Sequence, residues 1–180
     1  MALPPGRYRT TLTEIQDRFV THDEFAASAT RVRNWAGFCR YVGAWNRAEA
    51  MLGEKILLGF WIAGSFVTSK PNPSDVDVSP IYDLQKLKAV SRKPGSGRLK
   101  TLMGNRDSIA RAFHVEAFPL PWISTGSSLF PEKLPADEQL YLLSAGGLDD
   151  WWQRLTQSDS TGGPVHAQVF AAKGYLEVIL

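Results

Sequence analysis

Residues 55–63, KILLGFWIA, form a continuous apolar run rich in strand-favouring side chains. The run is too short to cross a bilayer, which takes about 20 residues, so it reads as a strand buried in a protein core. Such a strand must be covered, and the segment ahead of it supplies a cover. Val32, Trp35, Phe38, Cys39, Val42, Trp45 and Leu52 recur at helical spacing. This predicts a long amphipathic helix over 28–52, stopped near Gly53. Arg31, Arg33, Arg40 and Arg47 lie mostly off that stripe and read as its solvated face.

The rest of the chain divides around this pair. Pro4, Pro5 and Gly6 keep the first ten residues extended. Thr11 and Glu14 form a capping box ahead of a short helix with Leu12, Ile15 and Phe19 on one face, and Thr21 to Glu24 repeats the capping pattern. After the apolar run, Gly64 and Ser65 end the strand, residues 71–74 (PNPS) make a turn, and 75–81 reads as a second strand. Asp83 caps a helix to about Val90. Residues 91–100 (SRKPGSGRLK) predict a mobile basic loop able to grip RNA or a triphosphate. Residues 110–118 (ARAFHVEAF) alternate as a third strand, ended by Pro119 and Pro121. Asp149 caps a helix whose Trp151 and Trp152 cannot both face inward; 161–164 is a loop and 173–180 a closing strand.

A length of 180 residues, 44% apolar and 21% charged, suits one globular domain spanning 1–180. A net charge of +2 is too small to argue for nucleic-acid binding by itself. The single cysteine, Cys39, rules out an internal disulfide or a cysteine zinc site. The N-terminus lacks the apolar stretch of a signal peptide, so the expectation is a cytoplasmic protein without a membrane partner.

The chemistry concentrates in residues 64–78, GSFVTSKPNPSDVDV. Strand alternation points Asp75 and Asp77 one way and Val76 and Val78 the other. Two carboxylates held together disfavour each other's ionisation, and a divalent cation removes that penalty. Hard oxygen ligands of this kind suit magnesium or manganese. Glu116, in the third strand, can complete the set, with Asp107 as the alternative and His114 on the same face as Glu116. Gly64 allows close backbone approach, and the amides after it, with the Ser65 hydroxyl, can cradle an anion. Thr68 and Lys70 are near enough in sequence to add a hydroxyl and a positive charge. The competing reading of 72–75 is plain turn chemistry, with Asp75 capping amides. The sequence contains no Ser-His-Asp arrangement, Walker loop or dinucleotide fingerprint.

A Gly-Ser pair after a buried strand, nine intervening residues, then Asp-Val-Asp-Val resembles the DNA polymerase beta-like nucleotidyltransferase superfamily. The first half of the chain and the closing KGYLEVIL resemble a small nucleotidyltransferase-like branch found in bacteria and phages. The resemblance implies an α/β (α+β) nucleotidyltransferase fold: a small mixed sheet with the acidic cluster on one face and helices packed on the other. It implies that Asp75, Asp77 and Glu116 are the catalytic and metal-binding residues and hold two Mg²⁺ or Mn²⁺ ions. Gly64, Ser65, Thr68 and Lys70 would bind the nucleotide. The implied reaction moves a nucleoside monophosphate from a triphosphate such as ATP to a hydroxyl on RNA (including tRNA), a protein or a small molecule; small bacterial members include toxin–antitoxin components and antibiotic-modifying enzymes, so the resemblance implies a toxin–antitoxin or phage-related role. The alternative is a catalytically silent nucleotide- or RNA-binding module of the same fold.

Overall fold

The computed structural model describes residues 2–126, 130–154 and 172–180. In chain order the elements are β1 (Gly6–Arg9), α1 (Leu12–Phe19), α2 (Arg31–Leu52), β2 (Leu57–Ala63), β3 (Val76–Asp83), α3 (Leu84–Val90), α4 (Gly97–Gly104), α5 (Arg106–Phe113), β4 (Val115–Ala117), β5 (Leu120–Trp122), α6 (Ala136–Trp152) and β6 (Gly174–Ile179). The chain is a mixed α/β protein with a six-stranded mixed sheet and, among the described residues, six α-helices. The main strand order is β1-β6-β2-β3-β4, and β5 pairs with the far end of β3. β2 is antiparallel to both β6 and β3, whereas β1 runs parallel to β6 and β4 parallel to β3.

Local chemistry accounts for many of the element ends. At α1 the Glu14 amide donates to Thr11 Oγ1 at 3.2 Å, while the Thr11 amide donates to Glu14 Oε2 at 2.8 Å. This capping box satisfies two amides that the first helical turn leaves over. Asp83 caps α3 by accepting from the Lys86 amide at 2.9 Å, and Gly53, in the left-handed region at φ 68°, closes α2.

Several expectations need correction, among them the core stripe of the long helix, on which Val32 and Cys39 are exposed. The second capping pattern opens only a short element. It makes a 3-10 turn, Asp23–Phe25, capped by His22, and α2 starts at Arg31, whose amide donates to Ser28 Oγ at 3.2 Å. Residues 110–118 are not one strand. Asn105 accepts from the Ser108 amide at 3.0 Å and opens α5, which buries Ile109; His114 then turns left-handed at φ 52°, leaving β4 only three residues. The basic stretch is helical in its second half, because Leu99 and Leu102 of α4 enter the core. Asp149 lies inside α6 rather than at its start, and accepts from the Tyr175 hydroxyl. The expected loop 161–164 lies outside the described residues.

The sheet has a core on each side. Phe38, Phe60, Ile62, Val76 and Val78 pack on the side of α1, α2, α4 and α5. Trp61, Ile81, Leu120, Trp152 and Tyr175 pack on the other side, beneath α6. Helices therefore lie on both faces, and α6 shares its face with Asp77; the expected one-sided packing is incomplete. Gly37 lets α2 approach α5 closely, since a Cβ there would lie 1.9 Å from the Phe113 carbonyl oxygen. That contact seats α5, and β4 leaves directly from its end. Among the described residues no helix is long and apolar enough to cross a membrane.

Candidate functional site

Alternation along β3 sends Val76 and Val78 into the larger core and Asp77 to the opposite face. Asp77 is opposite Ala63 on β2 and directly beside Glu116 on β4. Residues aligned on neighbouring strands share a face, so a few residues of parallel pairing bring two acids together from distant parts of the sequence. Asp75 stands at the bend just before β3. All three line one cavity of about 700 Å³, together with Gly64, Ser65 and Thr68.

The acids perturb one another. Burial is the largest influence on Asp77, followed by the charges of Asp75 and Glu116, and its carboxyl is pushed up to about 7. Burial, with help from Glu116, also raises Asp75, while a hydrogen bond from Ser74 and the charge of Lys70 oppose the shift. Lys173 and Arg106 also answer this charge. Lys173 is 8% exposed and lines the cavity; burial lowers its ammonium pKa, and Asp77 opposes that shift. Arg106, the first residue of α5, forms an ion pair with Glu116, and its guanidinium lies 4.4 Å from the Phe118 ring centroid. Phe118 and Trp151 give the cavity an apolar wall, completed by Trp152, whose indole N–H donates to Ser79 Oγ at 3.0 Å.

The loop after β2 lines the cavity next to Asp77. Gly64–Val67 is a single 3-10 turn. Gly64 sits at φ 68°, and a Cβ there would fall 1.6 Å from Asp77 Oδ2. Glycine is thus required both by backbone conformation and by the carboxylate against which it packs. Thr68 Oγ1 donates to the Ser65 carbonyl at 2.8 Å, so its hydroxyl braces the turn. The loop is anchored from below by Arg31, which is fully buried rather than solvated as its helical position suggested. Arg31 donates to the carbonyls of Phe19 at 2.8 Å, Phe66 at 2.7 Å, Thr68 at 2.6 Å and Lys70 at 2.7 Å, and stacks 3.7 Å from the Phe25 ring centroid. Periodicity failed here because the loop covers a face of α2 that would otherwise meet water.

Of the residues singled out from the sequence, Gly64, Ser65, Thr68, Asp75, Asp77 and Glu116 meet at the cavity. Lys70 stands outside its wall and acts on Asp75 only through its charge. His114 is the left-handed cap of α5, and Asp107 is in the first turn of that helix; neither lines the cavity. Sequence reasoning missed Lys173 and Arg106. Lys173 had one available signal, a lysine at the head of the closing strand; Arg106 had none, because its helix was not recognised.

A divalent cation fits the chemistry of these donors. Three carboxylates line the cavity, and the ionised form of the deepest is disfavoured by burial and then by the charges of the other two. The ligand set is nevertheless open. Among the described residues no three Asp, Glu, His or Cys side chains converge closely enough to hold an ion, and Glu116 is engaged by Arg106. Residues 1–179 match a family profile described as a family of unknown function, DUF6932. The chain belongs to the DUF6932 family. The DUF6932 match takes in the whole cavity wall, from Gly64 to Lys173. This DUF6932 chain significantly matches no curated protein and no solved structure.

Proposed function

We propose that the chain is a metal-dependent nucleotidyltransferase with the fold of the DNA polymerase beta-like superfamily. The observation that carries this reading is the register of β3 and β4, with Asp77 beside Glu116 and the Gly64–Val67 turn closing against Asp77. A Gly-Ser turn beside paired acids suits a polyphosphate and its cation, with amides that can bind the anion next to carboxylates that can bind the cation.

In this reading a nucleoside triphosphate lies with its phosphates along the Gly64–Val67 turn. Asp75, Asp77 and Glu116 would hold two Mg²⁺ or Mn²⁺ ions, which when bound supply the charge that neutralises the triphosphate and the leaving group. An acceptor hydroxyl attacks the α-phosphorus in line. The new bond joins acceptor oxygen to α-phosphorus, the bond from α-phosphorus to the bridging oxygen breaks, and pyrophosphate leaves. The hydroxyl proton passes to the Glu116 carboxylate, whose side chain is 37% exposed. Ser65 orients the phosphates, and Lys173 keeps negative charge on Asp77 tolerable within the fold. The protein's contribution is positioning and electrostatic stabilisation.

A binding module without transfer is the second reading, and the Arg106–Glu116 ion pair favours it, since that pair occupies the third acid. The two separate in one assay. The protein is incubated with each α-labelled nucleoside triphosphate, Mg²⁺ and cell extract, and fractions of RNA, protein and small molecules are examined for label. Transfer to one fraction, abolished in Asp77→Ala, supports the enzyme and identifies the acceptor class. Nucleotide bound without transfer, and unaffected by Asp77→Ala, supports the module.

A further inference from the structure

Glu116 has two claims on it. Its register beside Asp77 makes it the third acid of the set, yet its carboxylate is paired with Arg106. The guanidinium is held from a second side by the Phe118 ring, 4.4 Å from its centroid. Arg106 projects from the first residue of α5 into the cavity that Gly64, Ser65 and Asp75 also line. Its side chain is 53% exposed and that of Glu116 37%. The contact is therefore open to solvent and to whatever enters the cavity. A planar five-donor cation so placed suits a phosphate as well as a carboxylate.

We propose that Arg106 exchanges Glu116 for the polyphosphate of the incoming substrate, so that the third acid becomes available to the cation only once the anion is bound. The inference rests on the nucleotidyltransferase reading and adds a rule of order to it. With the cavity free of anion, Arg106 neutralises Glu116 and repels a cation, leaving Asp75 and Asp77 as the acids of the set without an arginine partner. A polyphosphate arriving on the Gly64–Val67 side offers Arg106 a more highly charged partner than the Glu116 carboxylate. The guanidinium turns to it while keeping its aromatic support, and Glu116 is released beside Asp77. Cation and anion then bind with positive coupling, each strengthening the other by the same factor. An exposed ion pair is weak, so the exchange is easy in both directions. The device thus tunes occupancy without locking the site.

The test measures two affinities on the full chain, Mn²⁺ alone by electron paramagnetic resonance of the free ion, and α,β-methylene-ATP at saturating Mn²⁺ by calorimetry. Wild type is compared with Arg106→Gln and Arg106→Lys, with Asp77→Asn as the control for the acid site. The proposal expects opposite signs: Arg106→Gln binds Mn²⁺ about two- to tenfold more tightly and the analogue at least several-fold more weakly. Arg106→Lys, which keeps the charge but not the fork, falls between. A fixed charge alone gives the same signs, so the analogue is also titrated without Mn²⁺: the exchange requires the coupling between Mn²⁺ and analogue to fall in Arg106→Gln, and an unchanged coupling overturns it. If Mn²⁺ affinity is unchanged or lower in Arg106→Gln while Asp77→Asn abolishes it, the exchange is overturned and the acid site stands. If neither wild type nor Arg106→Gln takes up Mn²⁺ at millimolar concentration, the acid site and the exchange are overturned together.

Discussion

At the scale of single residues, Gly64 and Asp77 depend on each other. Gly64→Ala would introduce a methyl group 1.6 Å from Asp77 Oδ2 at a backbone conformation that disfavours any side chain. The carboxylate must swing away. The expected result is a loss of about 1–2 kcal/mol of stability, with a disproportionate loss of Mn²⁺ binding; denaturant melts and metal titration check the two parts. Asp77 also sets a pH dependence. Its folded pKa of about 7 lies above the ordinary carboxylate value, so between about pH 4 and 7 the native state holds more protons than the unfolded one. In chelator, stability should fall as pH rises through that window, by on the order of 2–4 kcal/mol, and level off above it. Asp77→Asn should reduce that slope, leaving the smaller part that the raised Asp75 carboxyl contributes, and melt higher than wild type at pH 8 without metal. A slope of opposite sign would contradict the electrostatics assigned to the cavity.

At the scale of elements, the site is held by contacts that no local pattern announces. Arg31 gathers four carbonyls from α1 and from residues 66–70. Arg31→Ala should cost about 3–5 kcal/mol, since it strands buried acceptors and frees the loop behind Ser65. By contrast, Thr11→Ala loses one capping bond, and a cost of about 1 kcal/mol is expected in the same melts. The difference marks what the sequence could reveal. The α1 box, the Asp83 cap, the buried run 57–63 and the Gly64–Asp77 segment are local, and each was readable from neighbours in the chain. Arg31 was misread because its burial depends on a loop more than thirty residues away. The third strand was misread because the eight residues of α5 are too few for helical periodicity to stand out from alternation. Glu116 was placed on the right face for an incomplete reason, since strand β4 has only three residues to carry it.

At the scale of the whole molecule, the sheet joins the two ends of the chain to its middle. β6 lies between β1 and β2, so the last described residues sit inside the sheet, and Lys173 at their head faces Asp77. Deleting residues 172–180 would expose both neighbours and strip Asp77 of its buried cation. No cooperative thermal transition is expected from that truncation; a chain that still melted cooperatively near the wild-type temperature would show β6 to be dispensable. The same architecture underlies the central claim, that acids from β3 and β4 and the turn after β2 act together on a metal-bound nucleotide. The most direct test is pulsed electron paramagnetic resonance of Mn²⁺ bound to the protein with α,β-methylene-ATP. The account predicts protein-bound Mn²⁺ coupled to phosphorus, with that bound signal lost in Asp77→Asn. Mn²⁺-nucleotide spectra identical to those in buffer, for wild type and variant alike, would contradict it.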